Sequence, residues 1–427
     1  MGQAEALLDN LIQGYQKRRE KSGDSPGKKS DEHLTQVMKG YFERVRYARE
    51  RNKPLAWVTL FFPSILLEAM DIVPFVAEQY VIQLIGQGIG TRYFEVGDGY
   101  GTSMESCSPH RAMIGMAISG ELPQPDLILT TSPLTCDSSV GTFEILADFF
   151  KCPAYFLDYK YPYNFNAVPY LKKELEELIA FLEKETGKKL NHHKLEESLN
   201  IAHQTLNYDV QINELRKAIP CPISARGVMP LLWTRLCGEG RPETLSFAQS
   251  LYQETGDRVA QGKGVIEGDT IRLAWNGPLP FFDMKIVNWM EKNYGAVIVL
   301  DLLNYLPARA DFEPPSDLLE WLAMLNLSHP GVRMSGAYDE EVRVQLKKVF
   351  REARLDGSIF FAHFGCKQVP GMSRLMIDDI KEAAGIPTFV LDGDILDQRI
   401  ASGNVLRAKL TEYITMIKNK STIGKLS

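Results

Sequence analysis

The chain has 427 residues, 44% apolar and 24% charged, with a formal net charge of −6; this is globular material for two to three domains, with no basic surplus to recruit nucleic acid. Met1–Asp9 carries an early acid and no sustained apolar core, so no secretory signal is expected. The most apolar region, residues 54–90, is broken by Pro63, Glu68, Asp71, Pro74 and Glu78 and cannot supply the ~20 apolar residues of a membrane span.

A cytoplasmic protein without membrane or nucleic-acid partners is therefore expected. Six cysteines in this length are too sparse for a disulfide scaffold, which leaves core thiols, reactive thiols or metal ligands. Residues 1–53 read as an N-terminal helical segment and a mobile link, because Tyr15 to His33, with Lys17-Arg-Arg-Glu-Lys and Ser25-Pro-Gly-Lys-Lys-Ser, is strongly polar. Over 54–165 a first α/β lobe is expected. Leu55-Ala-Trp-Val-Thr-Leu-Phe-Phe is a buried strand stopped by Pro63, a helix-like run follows at Ile65–Met70, and short buried strands recur at Pro125–Thr131 and Ala154–Leu157. Helical stretches separate them, which is the pattern of a parallel sheet.

Across 166–265 the period changes. Leu171, Leu175, Leu178 and Leu182 recur at helical spacing, and a second charged helical stretch follows from Leu195 to Ala218, so this is a helical connector whose leucine stripe packs a core. A second α/β lobe is expected over 266–427, with strands at Thr270–Trp275, Ala296–Leu300, Gly357–Ala362 and Thr388–Asp392, closed by a helix carrying Leu406, Leu410, Tyr413 and Ile417 on one face. Two such lobes facing one another form a cleft, the usual place for a cofactor or small-molecule site.

Three cysteines carry the chemical interest: Cys107 in Glu105-Ser-Cys-Ser-Pro-His-Arg, Cys136 closing the segment from Pro125, and Cys366 in Phe361-Ala-His-Phe-Gly-Cys-Lys. They lie 29 and then 230 residues apart, without the compactness of a zinc or ferredoxin motif, and on spacing alone a buried free thiol is the ordinary outcome. Cys136 and Cys366 sit just beyond presumed strands, where open α/β sheets bind ligands; these positions and small or turn-forming neighbours (Ser106, Ser108, Pro109, Gly365) favour ligation, and soft thiolates suit iron-sulfur clusters. Cys152, Cys221 and Cys237 lack that context and read as structural.

His110 and His363 lie near Cys107 and Cys366, as donors to cluster sulfur or as core histidines. Glu78 follows an apolar stretch, which makes it either a buried general acid or base or a solvated helix-end residue. Gly86-Gln-Gly-Ile-Gly and Gly97-Asp-Gly-Tyr-Gly lack the context of a phosphate cradle. Gly277-Pro-Leu-Pro is a rigid strand-end turn, and Leu391-Asp-Gly-Asp-Ile-Leu-Asp-Gln-Arg reads as a loop network rather than a metal site.

Taken together, these segments resemble the 2-hydroxyacyl-CoA dehydratase and benzoyl-CoA reductase family, in its iron-sulfur, D-component type. The resemblance rests on Cys107-Ser-Pro-His-Arg with Gly115, Leu122-Pro-Gln-Pro-Asp-Leu running to Cys136, and Cys152-Pro with the strand ending at Asp158. It continues in His363-Phe-Gly-Cys-Lys, Gly385-Ile-Pro and Asp392-Gly-Asp-Ile-Leu-Asp-Gln-Arg. It implies two flavodoxin-like parallel-sheet lobes and one 4Fe-4S cluster held by Cys107, Cys136 and Cys366. It also implies a homologous second subunit or a second copy as partner, an ATP-dependent iron-sulfur activator that delivers one electron, and an acyl-CoA substrate that reacts as a ketyl radical. Glu78 falls where the substrate-binding subunit carries an acid in a Tyr-Pro-Glu sequence, with Val76-Ala77 here in place of Tyr-Pro, so a proton-transfer role carries over. Val58-Thr59 stand where that subunit has a serine, which makes Thr59 the candidate hydroxyl donor. The leading expectation is a 2-hydroxyacyl-CoA dehydratase subunit. The alternatives are an aromatic acyl-CoA reductase subunit, a homodimeric double-cubane relative, a subunit whose cluster only relays electrons, and a metal-free binding protein.

Overall fold

Short buried runs alternating with amphipathic stretches build two sheets of the same topology. The computed structural model describes residues 2–23, 29–88, 91–132, 136–162, 164–267, 271–305, 310–335 and 338–423. Helices α1 (Gln3–Gly23) and α2 (Lys29–Arg46) come first. Much of the expected mobile link is therefore helix, because the Lys-Arg-Arg-Glu-Lys run consists of good helix formers; residues 24–28 lie outside the described ones.

The first sheet follows with β1 (Leu55–Val58), α3 (Ser64–Ala69), β2 (Val73–Val76), α4 (Ala77–Gly86), α5 (Arg92–Tyr100), α6 (Ser108–Ile118), β3 (Leu127–Thr131), α7 (Asp137–Phe150) and β4 (Ala154–Leu157). Helices α8 (Val168–Thr186), α9 (His192–Leu215), α10 (Ala225–Gly238) and α11 (Pro242–Ala260) then separate it from the second. That one comprises β5 (Ile271–Asn276), α12 (Lys285–Tyr294), β6 (Ala296–Asp301), α13 (Leu318–Ser328), α14 (Pro330–Ser335), α15 (Glu340–Glu352), β7 (Gly357–His363), α16 (Gln368–Gly371), α17 (Ser373–Ala384), β8 (Thr388–Gly393) and α18 (Gly403–Ile423). Thr270, expected to open β5, lies outside the described residues.

Among the described residues each sheet has four parallel strands, ordered β2-β1-β3-β4 and β6-β5-β7-β8. The protein is thus α/β with two flavodoxin-like lobes, and in each the winding reverses between the two central strands, which opens a crevice at their carboxyl ends. The burial of every residue in β1 and β5 reflects helices on both faces. Trp57 and Trp275 belong to one apolar core shared by the two sheets, while the Leu171–Leu182 stripe packs the other face of the first sheet. No helix among the described residues is long and apolar enough to cross a membrane.

Two local features depart from expectation. Strand β2 was hidden by Pro74, which lacks a ladder donor, but the strand lies at a sheet edge, where proline is tolerated. The first strand ends at Val58 instead of Phe62, and Phe61 takes a left-handed φ of 68°. Its ring presses on Gly331, where any Cβ would come within 2.1 Å of it, and its carbonyl accepts the Asn326 Nδ2–H at 3.0 Å. Contacts from the second lobe thus hold a backbone conformation that local preference disfavours.

Candidate functional site

The three singled-out cysteines converge where the carboxyl ends of both sheets meet. Cys136 follows β3 and caps α7; Cys366 follows β7 and precedes α16; Cys107 instead comes from the α5–α6 insertion and caps α6. Helix amino ends present unpaired N–H groups and positive dipole ends, which favour thiolate. The Val369 N–H donates to Cys366 Sγ at 3.5 Å.

Burial pushes the Cys107 thiol well above the usual range, and the charges of Cys136 and Cys366 push it further. Burial, then Cys366 and Glu78, raises Cys136 to about 12. Cys366 is raised by burial against the backbone N–H groups of Val369 and Gln368. Three thiolates in mutual repulsion need a cationic group to exist together, and bound metal deprotonates them. Among the described residues no group of three or more His, Cys, Asp or Glu side chains is placed to hold a metal ion. A mononuclear site would require sulfurs about 2.3 Å from one centre, whereas the cysteines of a cubane bind different irons. Three thiol sulfurs are soft donors of the kind that iron-sulfur clusters take.

The lobes touch closely here. A Cβ on Gly365 would sit 2.7 Å from Cys107 Cα and 2.7 Å from the Ser106 carbonyl oxygen, so only glycine lets the two loops approach. His363, buried at the end of β7, places Nε2 3.4 Å from Cys107 Sγ. Burial lowers its basicity against the pull of Asp394, whose Oδ2 lies 3.4 Å from Nδ1.

Glu78 is 2% exposed in the first turn of α4, not a solvated helix end. Its Oε2 accepts the Leu60 N–H at 3.0 Å, and Oε1 lies 3.3 Å from His110 Nε2. His110 Nδ1 in turn lies 2.8 Å from Ser138 Oγ. The buried Thr59 Oγ1 is 3.3 Å from Thr131 Oγ1 across the crevice between β1 and β3. Both His110 and Ser138 line a cavity of about 360 Å³ with Tyr100, Ser106, Asp137 and Lys367. Ser138 and Thr131 were not anticipated. Ser138 lies two residues beyond Cys136, but nothing in its neighbourhood separates it from an ordinary helix-start serine.

The acidic run after β8 is a loop network, as expected. Asp394 Oδ1 accepts from Leu396 and Asp397 N–H at 2.8 Å and from Ser108 Oγ at 2.5 Å. Burial alone would raise the Asp397 carboxyl, but hydrogen bonds from Arg399 and the charge of Arg111 hold it below the usual range. Arg111, wholly buried, joins Asp98 of the first lobe to Asp397 of the second. Gly97 and Gly115 serve the α5–α6 contact rather than a phosphate: their Cβ atoms would come 2.3 and 2.0 Å from carbonyl oxygens of the opposing helix. Gly277 is a turn glycine, with φ +99°. All six cysteines are free, and Cys221 and Cys237 are core residues.

The sequence model of the family described as 2-hydroxyglutaryl-CoA dehydratase, D-component, matches residues 59–417. The chain is 21% identical over 386 residues to the (R)-phenyllactyl-CoA dehydratase alpha subunit of Clostridium sporogenes, covering 87% of this chain and 91% of the relative. It is 20% identical over 393 residues to the (R)-2-hydroxyisocaproyl-CoA dehydratase alpha subunit of Clostridioides difficile, covering 88% and 93%. To one of the benzoyl-CoA reductase subunits of Thauera aromatica it is 26% identical over 350 residues, covering 77% and 80%.

Proposed function

The chain belongs to the 2-hydroxyglutaryl-CoA dehydratase D-component family, and from that premise we propose that it is the 4Fe-4S subunit of a radical 2-hydroxyacyl-CoA dehydratase, with Cys107, Cys136 and Cys366 holding one cluster. A homologous second subunit and an ATP-dependent iron-sulfur activator complete the enzyme, in the reducing cytoplasm. The observation that carries this reading is the meeting of three charge-coupled thiols beside the buried Glu78 carboxyl.

Held by Cys107, Cys136 and Cys366, the cluster would supply one low-potential electron and a Lewis-acidic iron. The chain's own residues handle protons and access. Dehydration removes the hydroxyl from C2 of the acyl group and a proton from C3. Glu78, with Oε2 pinned by Leu60, uses Oε1 to take that proton or to return one to the leaving oxygen. Thr59 offers its hydroxyl to the thioester carbonyl in place of Thr131. Burial of both residues keeps water from the reacting atoms.

The test is iron and acid-labile sulfide in anaerobically purified protein, followed by turnover with partner and activator. About four of each per chain, with an enoyl-CoA product, is the expected result; about eight of each points to the double-cubane relative. Absence of both after reconstitution, or a loaded protein inert across 2-hydroxyacyl-CoAs, refutes the dehydratase. A second reading, a subunit of an ATP-dependent benzoyl-CoA reductase, is favoured by the higher identity to the reductase chain, 26% against 21% and 20% for two dehydratase subunits. Loss of the benzoyl-CoA chromophore under the same conditions separates the two.

A further inference from the structure

The pairing of His363 with Cys107 lies outside the proton and substrate roles above. The two residues come from different lobes, yet Nε2 and Sγ stand 3.4 Å apart, within hydrogen-bonding reach for sulfur. The distance is held from three sides. Gly365, two residues after His363, meets the Cys107 backbone so closely that a Cβ would lie 2.7 Å from its Cα. Ser108, next to Cys107, donates to Asp394 Oδ1, and Asp394 is itself fixed by the Leu396 and Asp397 N–H groups. The other oxygen of Asp394 faces His363 Nδ1 at 3.4 Å. One carboxylate thereby contacts both the residue after Cys107 and the ring that points at its sulfur.

We propose that His363 tunes the cluster: its Nε2–H donates a hydrogen bond to the Cys107 sulfur, and the close approach of Gly365 to the Cys107 backbone holds ring and sulfur together. This rests on the cluster reading above. A cysteine bound to iron brings no proton, so a proton on the line between the two atoms belongs to Nε2. A donor at a ligand sulfur draws negative charge from the thiolate, which favours the more negative, reduced cluster and raises its potential. Because donor and sulfur come from opposite lobes, any motion that opens the lobes breaks the bond and makes the cluster a stronger reductant. His363 is a positioning residue in this role.

The experiment uses the full chain, reconstituted anaerobically, with iron and sulfide measured on every sample before the cluster is titrated potentiometrically and read by electron paramagnetic resonance. His363→Leu removes the donor. At a fixed poise its reduced-to-oxidised ratio is expected to fall about tenfold, which is 59 mV for a one-electron couple. His363→Gln, whose side-chain amide can reach the sulfur, is expected to recover part of the loss. In the native protein, 15N-labelled histidine is expected to give a hyperfine coupling to the reduced cluster. A leucine variant with native iron, native sulfide and an unchanged potential overturns the proposal. So does a native protein without the histidine coupling, even where neither variant retains iron. Native protein that binds no iron overturns the cluster reading itself, a different and separately visible result.

Discussion

Substituting Gly365 by alanine tests whether the two lobes must approach closely to make the site. The added Cβ would lie 2.7 Å from both Cys107 Cα and the Ser106 carbonyl oxygen, and 3.0 Å from Cys107 N. Ordinary contact begins at 3.4 Å, so the two backbones must part by roughly 0.7 Å. All three opposing atoms are main-chain atoms and cannot swing aside as a side-chain tip would. Overpacking of this kind costs about 1–3 kcal/mol. The displacement also exceeds the ~0.5 Å within which a ligand constellation must be held, and it separates Cys107 from Cys366, the next residue along. Gly365→Ala is therefore expected to lower the unfolding free energy by about that amount in chemical denaturation, and to bind substantially less iron per chain after anaerobic reconstitution. An alanine variant with native stability and a full iron complement would refute the claim that this contact sets the site's geometry.

Glu78→Gln keeps the shape and the Leu60 contact, so it is expected to retain iron while turnover falls by roughly two to four orders of magnitude, the usual range for general acid–base catalysis; near-native turnover would remove Glu78 from the mechanism. Arg111→Leu leaves Asp397 buried without one of its cations and is expected to cost about 3–5 kcal/mol in denaturant unfolding, against little change for a surface arginine such as Arg374. Glu239, at the end of α10, is pushed up to about 7 by burial, against the charge of Arg235 and with that of Asp209. Its carboxyl thus binds a proton more tightly folded than unfolded, so its contribution to stability is present in acid and is lost as pH rises through about 7. Glu239→Gln is expected to flatten the fall in unfolding free energy between pH 5 and 8, and an unchanged slope would exclude this group as its origin.

Much of the architecture was legible from periodicity alone. Runs such as Ala296–Leu300 and Gly357–Ala362 bury both faces, and only a parallel sheet covered by helices accepts that pattern. The leucine stripe of α8 likewise announced a packed helix. Where local signals misled, a tertiary contact had the larger energy. Pro74 hides an edge strand, and the apolar run through Phe62 leaves the sheet early because Phe61 packs on Gly331, far along the chain.

The site divides in the same way. Strand-end positions for Cys136 and Cys366, and small or turn-forming neighbours for Cys107 and Cys366, singled out the three in the linear order, since each signal depends on residues close in sequence. Which atoms meet was decided by the fold. Glu78 became a buried carboxyl because α4 starts at the end of β2 against Leu60 and His110, and His363 faces a sulfur 256 positions away because two separate sheets present their carboxyl ends to one another. Local pattern specifies elements, through backbone geometry and the side-chain period. Contacts between elements depend on packing of the whole chain, and in this protein that packing brings the three thiols, the carboxyl and the imidazole together.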